Sequence, residues 1–413
     1  MDGAQVNDMK MANEVGNVRL MQRINRLKVL EIIRSKGPLA RPEIAKMTGL
    51  SPSSITNIIT CLLERSLVAE MGTVESKDVG RKATLIRFNP SEHSIVAVNV
   101  EVDKAYIALT DLSGLILAMR ALPIDRHLLE LDVLDLIKKE IILLLDDKSI
   151  RRDKIIGIGL AVSGLVQDES RFVFSSSLRW KGLSIKEQFE NLFQIPVFIQ
   201  NNFRTKALWA LNKHVEDSER NVVFLDLTMG VGIVSFFEHR INEAVIGELG
   251  HTTVKKDGPP CFCGNRGCLE LMCSVDAILN NCQEGLSQGR CGILAGLIRT
   301  GDGKLTYEAV LQAFAKGDAD VRAVLRECGE YLGMGIANII NLFNPQRIII
   351  NGDLLLQSDF IEQTAKDEAG KRANEELTRG LKYQKVVIGI EESIQGVAIY
   401  VAGRMFELSN SIL

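Results

Sequence analysis

Cys261, Cys263 and Cys268 are crowded into the run Gly-Pro-Pro-Cys-Phe-Cys-Gly-Asn-Arg-Gly-Cys, and His251 stands ten residues before the first of them. Three thiolates and one imidazole form a closed tetrahedral set for a structural Zn2+ ion. Gly264 and Gly267 let the chain fold back so that the three sulfurs can face one point. A redox pair or plain buried thiols are the other readings of these residues. Clustering of this kind in a reducing compartment argues for metal over a disulfide. Cys61, Cys273, Cys282, Cys291 and Cys328 have no ligand spacing and read as small core residues.

A second chemistry, recognition of a polyanion, is written near the N-terminus. Residues 1–90 carry a net charge of +5 while the remainder carries −8, so a basic head sits on an acidic body. Asn17 to Ser35 reads as an amphipathic helix, with Leu20, Ile24, Leu27, Leu30 and Ile33 near the 3.6-residue period. Gly37-Pro38 ends it. A short helix over Arg41–Thr48 follows, then the turn Gly49-Leu50-Ser51. A third helix starts with Ser51 as cap and Pro52 at its first position, and runs to about Glu64.

Ile44, Ala45, Gly49, Ile55 and Ile58 have the spacing of a helix-turn-helix. The outward face of the third helix carries Ser53, Ser54, Thr56, Asn57 and Thr60, short hydrogen-bonding side chains suited to phosphates and base edges in a major groove. Strands over Val68–Met71 and Thr84–Phe88 flank a loop holding Gly80, Arg81 and Lys82. That loop reads as a wing whose cations reach a minor groove. The alternative is a three-helix module for protein contacts.

From Ser94 the pattern becomes α/β. Strands are expected at Ile95–Val100, Tyr106–Thr110, Ile155–Val162, Val197–Gln200, Val222–Leu227 and Arg347–Ile350, and helices at Leu129–Leu145 and Val321–Phe343. Asn89-Pro90 marks the break between head and body. With 413 residues, 46% of them hydrophobic and 24% charged, the composition is that of a globular protein of two or three domains, not a disordered or collagen-like chain. The longest apolar stretch, Ile155 to Val162, is far short of the roughly 20 residues of a membrane-spanning helix. The first residues lack a secretory pattern. A cytoplasmic protein without membrane contact is expected.

Gly-Glu-Leu-Gly-His over residues 247–251, followed by Cys-x-Cys-Gly-x-x-Gly-Cys-x-Glu over 261–270, resembles the ROK family of sugar-responsive repressors and sugar kinases. The head together with the body resembles its repressor branch, of xylose and N-acetylglucosamine type, from about Val18 to Phe406. The resemblance implies an α/β chain: an N-terminal winged helix-turn-helix over 1–90, then a two-lobed actin/hexokinase-like (ribonuclease H-like) body. Its small lobe would span 91–200, completed by the C-terminal helix, and its large lobe with the zinc loop 201–413. The implied partners are a double-stranded DNA operator, a monosaccharide effector bound between the lobes, and a second copy in a homodimer or dimer of dimers, with a phosphotransferase-system protein as the alternative controlling partner.

Carried over by position, the family's sugar contacts fall on Asn201, Glu248, His251 and Glu270. Asn202 lies in the same pocket, and Gly164 matches a Pro-Gly turn in which Ser163 replaces the Pro. Solvated carboxylates are the alternative for Glu248 and Glu270. His251 would serve zinc with one ring nitrogen and the ligand or backbone with the other.

Four departures from the family's kinases argue against catalysis. Asn99-Val100-Glu101-Val102-Asp103 replaces an Asp-x-Gly-x-Thr phosphate loop, setting the Glu101 carboxylate where phosphate oxygens would approach. Asn201-Asn202 replaces the Asn-Asp pair that supplies a general base, and an amide takes no proton at neutral pH. The second phosphate loop reads Met229-Gly230-Val231-Gly232-Ile233-Val234, with Met and Val where Thr and Gly are usual, and Asn351-Gly352 partly replaces a Gly-Gly pair. The expectation is a repressor released by a sugar in a non-catalytic cleft. A sugar kinase carrying a DNA-binding head, or a regulator controlled by a phosphotransferase-system protein, are the alternatives.

Overall fold

The computed structural model describes residues 3–408 apart from 75–82, 126, 149, 168–170, 176, 177, 179, 217, 229, 239, 243–246 and 302. Contacts divide the chain into two compact units. The first comprises Met1–Phe174, Trp180–Gln200 and Val397–Leu413; the second comprises Ser175–Arg179 and Asn201–Gly396.

The first unit opens with helix α1 (Gly3–Lys36), strand β1 (Leu39–Ala40), helices α2 (Arg41–Thr48) and α3 (Pro52–Glu64), and strands β2 (Val68–Val74) and β3 (Ala83–Phe88). The strands form an antiparallel sheet of order β1-β3-β2. Local chemistry sets the helix ends. The Glu43 carboxylate accepts from the Ala40 N–H at 2.8 Å, covering one orphan donor of α2. Gly49, at φ 74°, closes α2 with its N–H on the Ala45 carbonyl. The Ser51 hydroxyl caps α3 by accepting from the Ser54 N–H at 3.1 Å.

Ile55, Ile58, Ile59 and Leu62 turn inward against Ile44, Leu30 and Ile33 in the buried core of the head. The helix expected to start at Asn17 begins at Gly3, and its apolar stripe is only half used. Leu30 and Ile33 are buried, but Leu20 and Ile24 remain 53% and 48% exposed. Periodicity announces a helix, not the extent of the surface it packs on.

The turn Pro90–Glu92 leads into β4 (Ser94–Val100), β5 (Lys104–Asp111) and β6 (Ile116–Pro123). Helix α4 (Glu130–Leu145), β7 (Ile155–Val162), short strands β8 (Leu165–Gln167), β9 (Arg171–Ser175) and β10 (Trp180–Lys181), helix α5 (Ile185–Phe193) and β11 (Val197–Asn201) follow. The main sheet has the order β11-β7-β4-β5-β6, with β4 antiparallel to β5 and parallel to β7. Every residue of β7 is buried, as its unbroken apolar run requires. The end of the C-terminal helix, Val397 onward, lies on β7, where Gly157 and Gly159 leave room for Val401 and Val397.

In the second unit, α6 (Asn202–His214) precedes β12 (Asn221–Asp226), β13 (Gly232–Phe237) and β14 (Arg240–Ile241). Helices α7 (Val275–Ser287), α8 (Gly292–Thr300), α9 (Tyr307–Ala315) and α10 (Ala319–Phe343) come next. Strand β15 (Arg347–Asn351), helices α11 (Asp353–Leu356), α12 (Asp359–Arg372) and α13 (Glu375–Thr378), β16 (Lys382–Val386) and the start of α14 (Ile390–Leu408), which passes into the first unit at Val397, follow. Its sheet runs β14-β13-β12-β15-β16, antiparallel at β12–β13 and parallel at β12–β15 and β15–β16. α10 and α12 pack closely, with Gly329 and Gly333 of α10 against Thr364 and Glu368. Of the run expected as a second phosphate loop, Gly232, Ile233 and Val234 belong to β13, and Met229 lies outside the described residues.

Candidate functional site

The donor atoms of His251, Cys261, Cys263 and Cys268 lie within 4.8 Å of one another. His251 Nδ1 is 3.7 Å from the Cys261 sulfur, and the Cys263 and Cys268 sulfurs are 3.7 Å apart. With Zn–S bonds of about 2.3 Å, two thiolates on a tetrahedral ion stand about 3.8 Å apart, and these two separations are close to that spacing. Their chemistry agrees. Burial, reinforced by the neighbouring thiols, pushes Cys268 up to about 12, and burial also raises Cys261. The Asn265 backbone N–H lowers Cys263. Three adjacent thiolates need a cation among them, which a divalent metal supplies.

The loop's backbone makes this convergence possible. Bridges Thr253–Cys268 and Pro260–Arg266 fold it double, and the Cys261 N–H donates to the Asn265 carbonyl at 2.7 Å. Gly267 sits at φ 62°, where a Cβ would lie 1.7 Å from the Lys255 carbonyl oxygen. Only glycine is tolerated there.

His251 Nε2, on the ring edge away from Cys261, lies 3.7 Å from Glu248 Oε2. Glu248 is about half exposed (49%). Desolvation lifts its carboxyl above the usual range; His251 opposes the rise and Glu270 adds to it. Two carboxylates that sense each other beside an imidazole are suited to paired hydroxyls, which donate to both. Glu270 Oε2 accepts from the Val231 N–H at 3.2 Å, which ties it to the loop before β13. It also borders a cavity of about 150 Å³ with Thr228, Ser274, Asp276 and Asn280.

At the start of α6, Asn201 Oδ1 caps the helix by accepting from the Phe203 N–H at 2.7 Å. Asn202 is only 3% exposed, and its Oδ1 has no hydrogen-bond partner. A buried amide oxygen left unpaired costs about 1–3 kcal/mol and marks a place for a donor. Gly164, in the first unit, follows β7 at φ 124°. Asn99 is buried at the end of β4 and donates to Glu101 Oε1 at 3.3 Å.

Sequence reasoning missed a buried network behind this site. Lys206, one turn after Asn202 on α6, donates to Asp226 Oδ2 at 3.3 Å and to Thr228 Oγ1 at 3.2 Å. Asn351 Nδ2 donates to Asp226 Oδ1 at 3.3 Å, and the Ile388 N–H donates to Asn351 Oδ1 at 3.0 Å. A second acidic group, Cys291 with Asp318 and Asp320, is a helix clamp. Asp318 accepts from the Ile293, Leu294, Asp320 and Val321 N–H groups, and Asp320 from that of Cys291.

In the head, Ser53, Thr56, Asn57 and Thr60 are exposed on α3, with Ser54 half-buried beside them. The Ser51 hydroxyl engages those of Ser53 and Ser54 at 3.0 and 2.8 Å, and Thr56 donates to the Pro52 carbonyl at 3.0 Å. Lys28 Nζ donates to the Thr48 carbonyl at 2.7 Å, bracing α1 on α2. Arg81 and Lys82 lie outside the described residues.

The profile described as the ROK family matches residues 95–404. The xylose repressor of Bacillus subtilis (strain 168) is 27% identical over 371 residues, covering 88% of this chain and 91% of the relative. The DNA-binding transcriptional dual regulator NagC of Escherichia coli (strain K12) is 30% identical over 353 residues, 83% of each chain. A solved structure, a ROK family transcriptional regulator and homolog of the E. coli MLC protein, aligns with a TM-score of 0.79 at 26% identity. It covers 94% of this chain and 97% of its own.

Proposed function

The chain belongs to the ROK family, and from that premise we propose that it is a sugar-responsive transcriptional repressor. The head reads duplex DNA through Ser53, Ser54, Thr56, Asn57 and Thr60, with Arg81 and Lys82 of the wing adding backbone contacts. Two heads on a symmetric dimer engage an inverted repeat whose half-sites are separated by whole helical turns. The observation that carries this reading is the head itself: a glycine-closed turn between α2 and α3, with α3 apolar inward and short and polar outward. A relative named as a xylose repressor and a solved ROK family transcriptional regulator support it over nearly their full length.

The effector is a monosaccharide held by Asn201, Asn202, Glu248, His251 and Glu270. Asn202 Oδ1 accepts a sugar hydroxyl that relieves its unpaired burial, and Glu248 and Glu270 accept from neighbouring hydroxyls. Asn202, as an amide, takes no proton from the sugar, so binding proceeds without phosphoryl transfer. Structural zinc, when bound, supplies a fixed cross-link between His251 and the three cysteines. The imidazole is thereby oriented, with Nε2 toward Glu248.

A gel-shift assay with the purified protein and DNA from its own upstream region tests the reading. One monosaccharide should release the complex. Indifference to every common pentose, hexose and amino sugar, alone or with ATP, would sink the effector assignment.

A further inference from the structure

Three successive backbone carbonyls at the exit of α3, those of Arg65, Ser66 and Leu67, are all taken by the junction that joins β3 to β4. His93 Nε2 bonds the Arg65 carbonyl at 2.9 Å. Asn89 Nδ2 donates to the Ser66 carbonyl at 2.9 Å, and the Asn89 N–H donates to the Leu67 carbonyl at 3.0 Å. Carbonyls at a helix exit need partners outside the helix, and here the junction supplies them. Ser66 itself stands at φ 58°, a left-handed conformation uncommon for a residue with a side chain, and the Asn89 amide holds it there. A carbonyl only accepts, so His93 Nε2 carries the proton of its bond. The other ring nitrogen, Nδ1, is buried with no hydrogen-bond partner, which leaves the bond to Arg65 as the one that fixes the ring.

The same junction is fastened to the body. Glu92 pairs with Arg151 at 3.3 Å and with Lys154 at 3.1 Å, just before β7. The Pro90 carbonyl accepts from the Leu112 N–H, just after β5, at 3.1 Å. Head and β4–β7 sheet lie in one compact unit, and these bonds connect α3 to that sheet. We propose that Asn89 and His93 are positioning residues for DNA recognition: they fix the direction in which the body presents α3, and so set the half-site spacing that a pair of heads accepts. The inference rests on the repressor reading and adds to it the side chains that hold the angle of the head. A head on a slack tether reaches half-sites over a range of spacings, whereas a fixed head engages both only where the geometry matches.

Binding to three duplexes tests this: the operator, the operator with its half-sites moved apart by about two base pairs, a rotation of roughly 70° about the duplex axis, and a single half-site. The parent should bind the respaced operator about tenfold more weakly, or worse. Asn89→Ala/His93→Ala should bind the single half-site as the parent does, showing an intact α3 surface, yet discriminate between the two spacings by only about twofold or less. Asn89→Ala/His93→Gln gives the Arg65 carbonyl back an amide donor and should recover most of the discrimination, which a general loss of folding would not allow. The proposal is overturned by a double-alanine variant that keeps the parent's spacing preference, by one whose half-site affinity falls as far as its operator affinity, or by a glutamine variant without recovery. A parent that binds no inverted repeat removes the repressor reading, and this inference with it.

Discussion

Lys206 and Asp226 form an ion pair with side chains only 9% and 0% exposed. Breaking such a pair from one side leaves a charge in the interior, a loss of about 3–5 kcal/mol. Lys206→Met should therefore lower the unfolding free energy of the second unit by that amount, read from urea denaturation. Adding Asp226→Asn should recover a large part of it, because the orphaned carboxylate is then gone. A single variant within 1 kcal/mol of the parent would mean that water already solvates Asp226. For the cysteine cluster, metal analysis should find about one zinc per chain, with loss on Cys263→Ala. Because His251 is braced by the same cluster, that variant should also weaken the sugar's effect on DNA binding.

Among the elements, α3 depends on its first turn. Ser51 accepts from the Ser54 N–H and contacts both flanking hydroxyls. Ser51→Ala should destabilise the head by about 1 kcal/mol. Asn57→Ala, on the exposed face, should leave stability unchanged while weakening operator binding more than non-specific binding. Unfolding curves and paired titrations on operator and random DNA separate the two effects.

The helix-turn-helix was legible in the sequence because Gly49, Ser51 and Pro52 act within a few residues of the ends they set. The cysteine–histidine cluster was legible for a similar reason, with four donors inside eighteen positions. The strand Ile155–Val162 matched its apolar run because both faces are covered. Short strands such as β1 and β10, two residues each, hold too little pattern to read. The start of β13 was hidden by Gly230 before it and Gly232 at its first position. The Lys206–Asp226 network joins residues 20 apart through the sheet, and no local spacing encodes it. Half of α1's apolar stripe proved exposed because helix periodicity carries no information about what lies opposite.

For the molecule as a whole, the proposed switch has a thermodynamic consequence that needs no knowledge of the path between DNA and sugar. If sugar lowers operator affinity by a given factor, operator must lower sugar affinity by the same factor. A useful switch has a factor of about 5–150, or about 1–3 kcal/mol of coupling. Calorimetric titration of the releasing sugar into free protein and into the protein–operator complex measures one side; gel shift with and without saturating sugar measures the other. Equal factors are expected. The pocket residues divide the outcomes further. Asn202→Ala should weaken sugar binding to both forms alike, because the contact proposed for Asn202 is with the ligand and not the DNA. Cys263→Ala should shrink the factor itself by loosening the loop that carries Glu248 and His251. A sugar that binds equally well to free and operator-bound protein shifts no equilibrium however tightly it is held. That result would leave the pocket a binding site and remove it as the control of the head.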